Sequence, residues 1–138
     1  MPPLWIQEGG AKAPHFEGAS RSMDGVLAVA LAGVWITLAP LQQERQEIAV
    51  AAASGRVYAI GGLTSTSALA SVEEFDPLTN RWRFVAPLPE TLHHSAAAVV
   101  DDQIYIIGGY RTINFDATNS VYRYDLRIDR WTSVAPLL

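Results

Sequence analysis

The sequence predicts an all-β protein: two copies of a four-stranded antiparallel unit, preceded by a lone strand. Three repeating features carry that reading. VYAIGG at 57–62 returns 47 residues later as IYIIGG at 104–109. WITLAPL at 35–41 returns as WRFVAPL at 82–88 and as WTSVAPL at 131–137. VEEFD at 72–76 returns as VYRYD at 121–125. A fixed period of nearly 50 residues is the signature of stacked structural units, and it decides the fold before any single residue does.

Each copy contains four short β-like runs. The first spans about Ile48–Ala53 and then Ser95–Val100. The second, Arg56–Gly61 and Gln103–Gly108, is apolar on both faces and ends in glycine, which accepts positive φ and close backbone approach. The third is about Ala70–Phe75 and Ser120–Tyr124, the fourth Arg81–Ala86 and Arg130–Ala135. The punctuation suits hairpins. Ser54-Gly55 and Asp101-Asp102 sit between the first two runs, and Gly and Asp tolerate left-handed backbone. Asp76-Pro77-Leu78-Thr79-Asn80 and Asp125-Leu126-Arg127-Ile128-Asp129 join the last two, where an Asp side chain bonds its own backbone. Pro40, Pro87 and Pro136 close the fourth run, where a missing N–H is harmless.

Residues 1–34 stand outside the repeat. Pro2, Pro3, Gly9, Gly10, Pro14 and Gly18 interrupt any period, which reads as irregular chain. Residues 23–32 resemble the apolar core of a secretory signal, with Arg21 before them and Ala30-Leu31-Ala32 as a small-residue cleavage pattern. Against that stand Asp24 and the length of the leader. The alternatives are a strand of a preceding unit or a start at Met23. Cleavage would make the protein secreted or periplasmic; otherwise the expectation is cytoplasmic.

Four antiparallel strands per repeat, with this double glycine and tryptophan, resemble the Kelch family of β-propellers. The marks recur in register: Tyr58 with Gly62, Tyr105 with Gly109, Asp76 with Trp82, and Asp125 with Trp131. The resemblance covers about Trp35 to Leu138. It implies a Kelch-type propeller fragment, with one blade at about 47–86 and another at about 94–135. It also implies that Tyr58, Gly61, Gly62, Trp82, Tyr105, Gly108, Gly109 and Trp131 are structural, the aromatic residues packing between blades. Complete propellers have about 4–8 blades, and arrays need about three repeats for stability. Two blades therefore call for more, either from the same parent chain or from self-association.

Composition removes several functions. The net charge of −4 is spread among both signs with no basic stripe, so nucleic acid is not an expected partner. There is no cysteine, hence no disulfide framework or thiolate metal site. No apolar run reaches the ~20 residues of a membrane span. No phosphate loop, nucleophile elbow or Ser-His-Asp order is visible. His93-His94 suggest a metal only superficially, because neighbours in a strand point to opposite faces. No metal or cofactor is predicted.

Strand alternation puts the short turns on one side of each blade and the longer loops on the other. The longer loops hold Gln42–Glu47, Pro89–His94, Leu63–Leu69 and Tyr110–Asn119, and binding usually lives on such loops. The candidate rim is Arg45, Glu47, His94, Arg111, Asn114 and Asp116. The resemblance implies a non-catalytic protein-interaction module using this face. The alternative is part of a carbohydrate-binding or sugar-epimerase-like propeller, since some Kelch propellers are N-acetylneuraminate epimerases. Galactose oxidase, another relative, resembles this chain poorly, because its copper site uses a Tyr–Cys cross-link.

Overall fold

A computed structural model describes residues 35–138; the signal-like segment at 23–32 and the rest of the leader lie outside the described residues. The eight strands are β1 (Ala49–Ala53), β2 (Arg56–Ile60), β3 (Val72–Asp76), β4 (Arg81–Val85), β5 (Ala96–Val100), β6 (Gln103–Ile107), β7 (Val121–Asp125) and β8 (Arg130–Ser133). They form two four-stranded sheets, β1-β2-β3-β4 and β5-β6-β7-β8, each antiparallel throughout. The two four-stranded blades are therefore those expected, with strand ends moved by one or two residues. No helix occurs among the described residues, and so none is long and apolar enough to cross a membrane.

Turn chemistry fixes the register. Ser54 and Gly55 both have positive φ (47° and 73°), as do Asp101 and Asp102 (50° and 56°), which is the geometry of a two-residue hairpin turn. Asp76 Oδ1 accepts the Leu78 amide at 2.9 Å and Asp125 Oδ1 the Arg127 amide at 2.9 Å, closing both second hairpins alike.

The core is the seam between the blades. Ala49, Ala51, Ala53, Tyr58 and Ile60 of the first blade are buried with Ile104, Ile106, Tyr124 and Trp131 of the second. Alanines along β1 let the second sheet come close. The Tyr58 and Tyr124 rings meet edge to face at 6.0 Å, and Trp131 lies 4.8 Å from Tyr124. The Tyr58 hydroxyl donates to buried Glu74 at 2.9 Å, and Arg83 adds a second and third hydrogen bond to that carboxylate.

Two devices lock the seam. The first is an indole clamp. Trp131 Nε1–H donates to the Ala86 carbonyl at 2.8 Å, while Asp129 Oδ1 accepts the Ala86 amide at 2.8 Å. The same clamp sits one repeat earlier, from Trp82 Nε1 to the Ala39 carbonyl at 2.9 Å and from the Ala39 amide to Asn80 Oδ1 at 2.8 Å. The second is a loop crossing. The Gly62 amide donates to the Leu92 carbonyl at 2.8 Å, and a Cβ on Gly61 would stand 2.3 Å from that same oxygen. Gly61 also has φ +60°, so both space and backbone exclude a side chain there.

One expectation is corrected. Residues 35–41 form no strand; Trp35 is 98% exposed and Ile36 74%. A fourth strand needs a third to pair with, and the described residues hold none for it. The Ala39-Pro40-Leu41 end still docks through the clamp on Trp82, so it behaves as a strap across the first blade.

Two measurements check this account. Gly61→Ala should destabilise by at least about 3 kcal/mol, against about 1–2 kcal/mol for Gly55→Ala, where φ is also positive but no atom lies within 4 Å. Equal costs in thermal or urea unfolding would remove the crossing as the reason for the glycine. Burial raises the Tyr58 and Tyr124 phenols above their usual value, and the hydrogen bonds to Glu74 and Asp129 push the same way. A raised folded pKa stabilises fully below the unfolded value near 10 and is lost as pH rises beyond it. Near-ultraviolet dichroism should therefore hold to about pH 10 and then collapse together with phenolate appearance. Phenolate formation by these two residues with the dichroism intact would contradict the seam's role.

Candidate interaction site on the long-loop face

The loops leaving β2 and β6 rest on a shared scaffold. Gln46 and Leu63 exchange backbone hydrogen bonds at 2.9 and 2.7 Å, and one repeat later His93 and Tyr110 do the same at 3.0 Å each. Leu63 then bridges to Ala68 and Tyr110 to Ala117. The backbone job is thus done equally well by Gln-Leu in one blade and by His-Tyr in the other.

Arg45 stands apart from the rest of the expected rim. Its side chain and that of Glu73 are both 0% exposed, with Nη2 2.7 Å from Oε1. Nη1 donates to the Gly61 and Ser71 carbonyls at 2.9 Å each, and Nη2 also reaches Ser71 Oγ and Gln43 Oε1. Glu73 accepts the Gln42 and Gln43 amides as well. This is a buried strut that ties the loop before β1 to β3, with no donor left for a ligand.

The other five candidates lie on the loops of the second blade and its neighbour. Glu47 and His94 occupy the same repeat position, both with left-handed backbone (φ 54° and 53°). The His94 amide donates to the Glu47 carbonyl at 3.1 Å across the seam, and His94 Nε2 lies 3.2 Å from Glu47 Oε2. Arg111 Nε donates to Glu90 Oε2 at 2.7 Å, Nη2 to Thr118 Oγ1 at 2.9 Å, and Nη1 lies 3.6 Å from Asp116. Burial opposes ionisation of Glu90, but hydrogen bonds from Arg111, Ser120 and Tyr122 outweigh it and hold the carboxyl below its usual range. The Arg111 amide donates to the Asp116 carbonyl and the Phe115 amide to the Thr112 carbonyl, which curls 111–116 into a tight tip. Asn114 and Asp116 are exposed there.

The expectation that His93 and His94 point apart is overturned. Their Nδ1 atoms are 2.7 Å apart. The alternation of strand side chains fails because His94 is not extended; its positive φ turns the ring back onto its neighbour. His93, 1% exposed, also places Nε2 2.9 Å from the Thr112 carbonyl. Tyr110 and Phe115 complete an aromatic cluster with both histidines, ring centroids 4.9–6.0 Å apart. Phe115 is 55% exposed and has φ +61°, costly for a bulky residue. Sequence reasoning passed over His93, Tyr110, Phe115 and Glu90 as site residues. Setting the two repeats side by side exposes the signal, since Gln46 becomes His93 and Leu63 becomes Tyr110.

Depressions mark both sides of the blades. One of about 330 Å³ lies on the loop face against Glu44, Arg45, Gln46, Leu63, Thr64 and Ser65. Another of about 350 Å³ lies on the short-turn side, against Ser54, Asp101, Asp102, Asp125 and Arg127. Two of its carboxylates are occupied by backbone amides, Asp102 Oδ1 accepting from Ser54 and Asp125 Oδ1 from Arg127. No group of three or more metal-binding side chains occurs among the described residues.

Comparison with known proteins places these blades. The Kelch motif matches residues 44–89 and 91–138. The chain belongs to the Kelch-repeat family. Human Kelch repeat and BTB domain-containing protein 13 is 33% identical over 105 residues, covering 76% of this chain and 22% of that protein. Human Kelch-like protein 33 is 43% identical over 49 residues, 36% of this chain and 9% of that one. An F-box/kelch-repeat protein of Arabidopsis thaliana is 41% identical over 46 residues, 33% and 11% respectively. The structure of YjhT superposes with a TM-score of 0.69 at 15% identity, over 75% of this chain and 41% of that one, a likeness of fold. The Kelch chain described here thus spans between about a tenth and a fifth of these curated relatives.

The two loop-face arginines of this Kelch chain should respond differently to truncation. Arg45→Ala leaves Glu73 buried without its cation and should cost about 3–5 kcal/mol. Arg111→Ala, at a partly exposed pair, should cost about 1 kcal/mol or less. Urea unfolding of both variants decides it; a near-neutral Arg45→Ala would return Arg45 to the list of ligand-binding residues.

Proposed function

We propose that this chain is part of a non-catalytic Kelch-repeat module that holds a protein partner on its long-loop face, around Glu47, His94, Arg111, Asn114, Phe115 and Asp116. One observation carries the reading. The two blades do the same backbone work at the loop bridges, yet only the second carries His93, His94, Tyr110 and a protruding Phe115 there. An exposed aromatic ring held in a strained backbone and ringed by polar groups is the makeup of an interface anchor. The carbohydrate reading loses one of its three candidate residues, Arg45, Glu47 and His94, because Arg45 is spent on Glu73 and on backbone carbonyls.

Further Kelch blades are the second kind of partner in this proposal. Ala49, Ala51, Ala53 and Ile60 are buried in the seam, whereas their counterparts Ala96, Ala98, Val100 and Ile107 are exposed or half-buried. Arg123 replaces Glu74 on that outer face, and its Nε is buried with no hydrogen-bond partner among the described residues. A following blade that brings an acceptor to Arg123 would complete it.

A photo-crosslinking amino acid at position 115, compared with one at Leu126 on the short-turn side, tests the loop-face reading. Partner proteins should be captured at 115 and not at 126. Phe115→Ala should then weaken the captured partner about tenfold or more with the melting temperature unchanged, as expected of an anchor. Equal capture at the two positions would sink the assignment of the face.

A further inference from the structure

The charges on the loop face do not balance. Arg45 and Arg111 are the two guanidinium groups on these loops among the described residues, and both are paired within the chain, Arg45 with Glu73 and Arg111 with Glu90, Thr118 and Asp116. Three carboxylates remain open to solvent, Glu44, Glu47 and Asp116, and the last two flank the aromatic cluster. Glu47 is 50% exposed and Asp116 59%, and Asp116 meets Arg111 only at 3.6 Å. Between them stand the His94 ring and the half-exposed Phe115 ring, 5.7 Å apart. Aromatic faces carry a negative quadrupole and attract cations.

Hydrogen-bond direction sharpens this. The Thr112 carbonyl can only accept, so His93 Nε2 carries a proton and donates. Between the two Nδ1 atoms one ring must donate and the other accept. The groups facing His94 are Glu47, His93, Tyr110 and Phe115. His94 Nε2 faces the Glu47 carboxylate at 3.2 Å, and the half-exposed carboxylate keeps lone pairs for a further, positively charged donor.

Building on the interaction reading above, we infer that the partner inserts a cationic side chain, arginine or lysine, between Glu47 and Asp116 against the rings of His94 and Phe115. The ammonium or guanidinium donates to the Glu47 and Asp116 carboxylates, and its alkyl stem lies along Phe115. Ile113, exposed at the same loop tip, adds apolar contact beside it.

Selection of random displayed peptides on the full chain tests this, with the E47Q/D116N double variant as second bait and Asp101→Asn, on the opposite face, as control. Enriched peptides should carry Arg or Lys. Replacing that residue by citrulline or norleucine, or using the double variant, should weaken binding about tenfold, and the control should leave it unchanged. Affinity should also fall with added salt. Peptides without a cation, or cationic ones that bind the double variant equally well, would overturn the inference while leaving a loop-face interaction in place. No enrichment on the native chain would overturn both.

Discussion

The structure depends on how closely one blade's loop crosses the previous blade at the double glycine. The Leu92 carbonyl reaches the Gly62 amide because Gly61 has no side chain, and from that contact the loop to β5 takes its path. That path brings Ala86 under the Trp131 indole and His94 beside Glu47. The seam is therefore polar at both rims and apolar in the middle. Backbone bonds set the spacing, and alanines along β1 allow the sheets to close on Tyr58, Tyr124 and Trp131. Removing water from those rings supplies the stability, and the bonds supply the geometry in which removal is possible.

Repetition makes the chain its own control. Where the two blades keep Trp82 and Trp131, a shared structural job explains it, the indole clamp. Wherever they differ while the backbone stays the same, the difference is free to serve something else. Gln46 to His93 and Leu63 to Tyr110 are of that kind. Glu74 to Arg123 is a different case, for it changes the charge of a sheet face. Glu74 is satisfied by Tyr58 and Arg83 within its own blade, whereas Arg123 faces Tyr105 and Thr132, neither of which is an acid.

The fold was legible because its signals are local and occur twice: period, glycine pair, turn residues and tryptophan. The lone strand at 35–41 was over-read, since the repeat implies a strand only where a partner strand is present, and pairing is not a local property. The site was less legible. Arg45 looked like a loop cation, but its pairing with Glu73 joins residues 28 apart, and nothing in the spacing announces it. Glu73 itself sat in a strand pattern where a carboxylate would ordinarily face water, yet it is fully buried. The two burials share a cause, because each residue's burial depends on the other.

The histidine pair shows how backbone strain builds a site that side-chain patterns hide. Left-handed φ at position 47 recurs at 94, so the kink belongs to the blade and not to the histidine. In the first blade the kink serves only to deliver the Glu47 carbonyl to the next blade's amide. In the second it also folds the His94 ring onto His93 and swings Nε2 toward Glu47. The structural cost of the kink was already met by the repeat, so the histidines could be placed on it without new strain. A site of this kind can change from blade to blade by side-chain replacement alone. That is why the loops can diverge while the seam beneath them keeps its register.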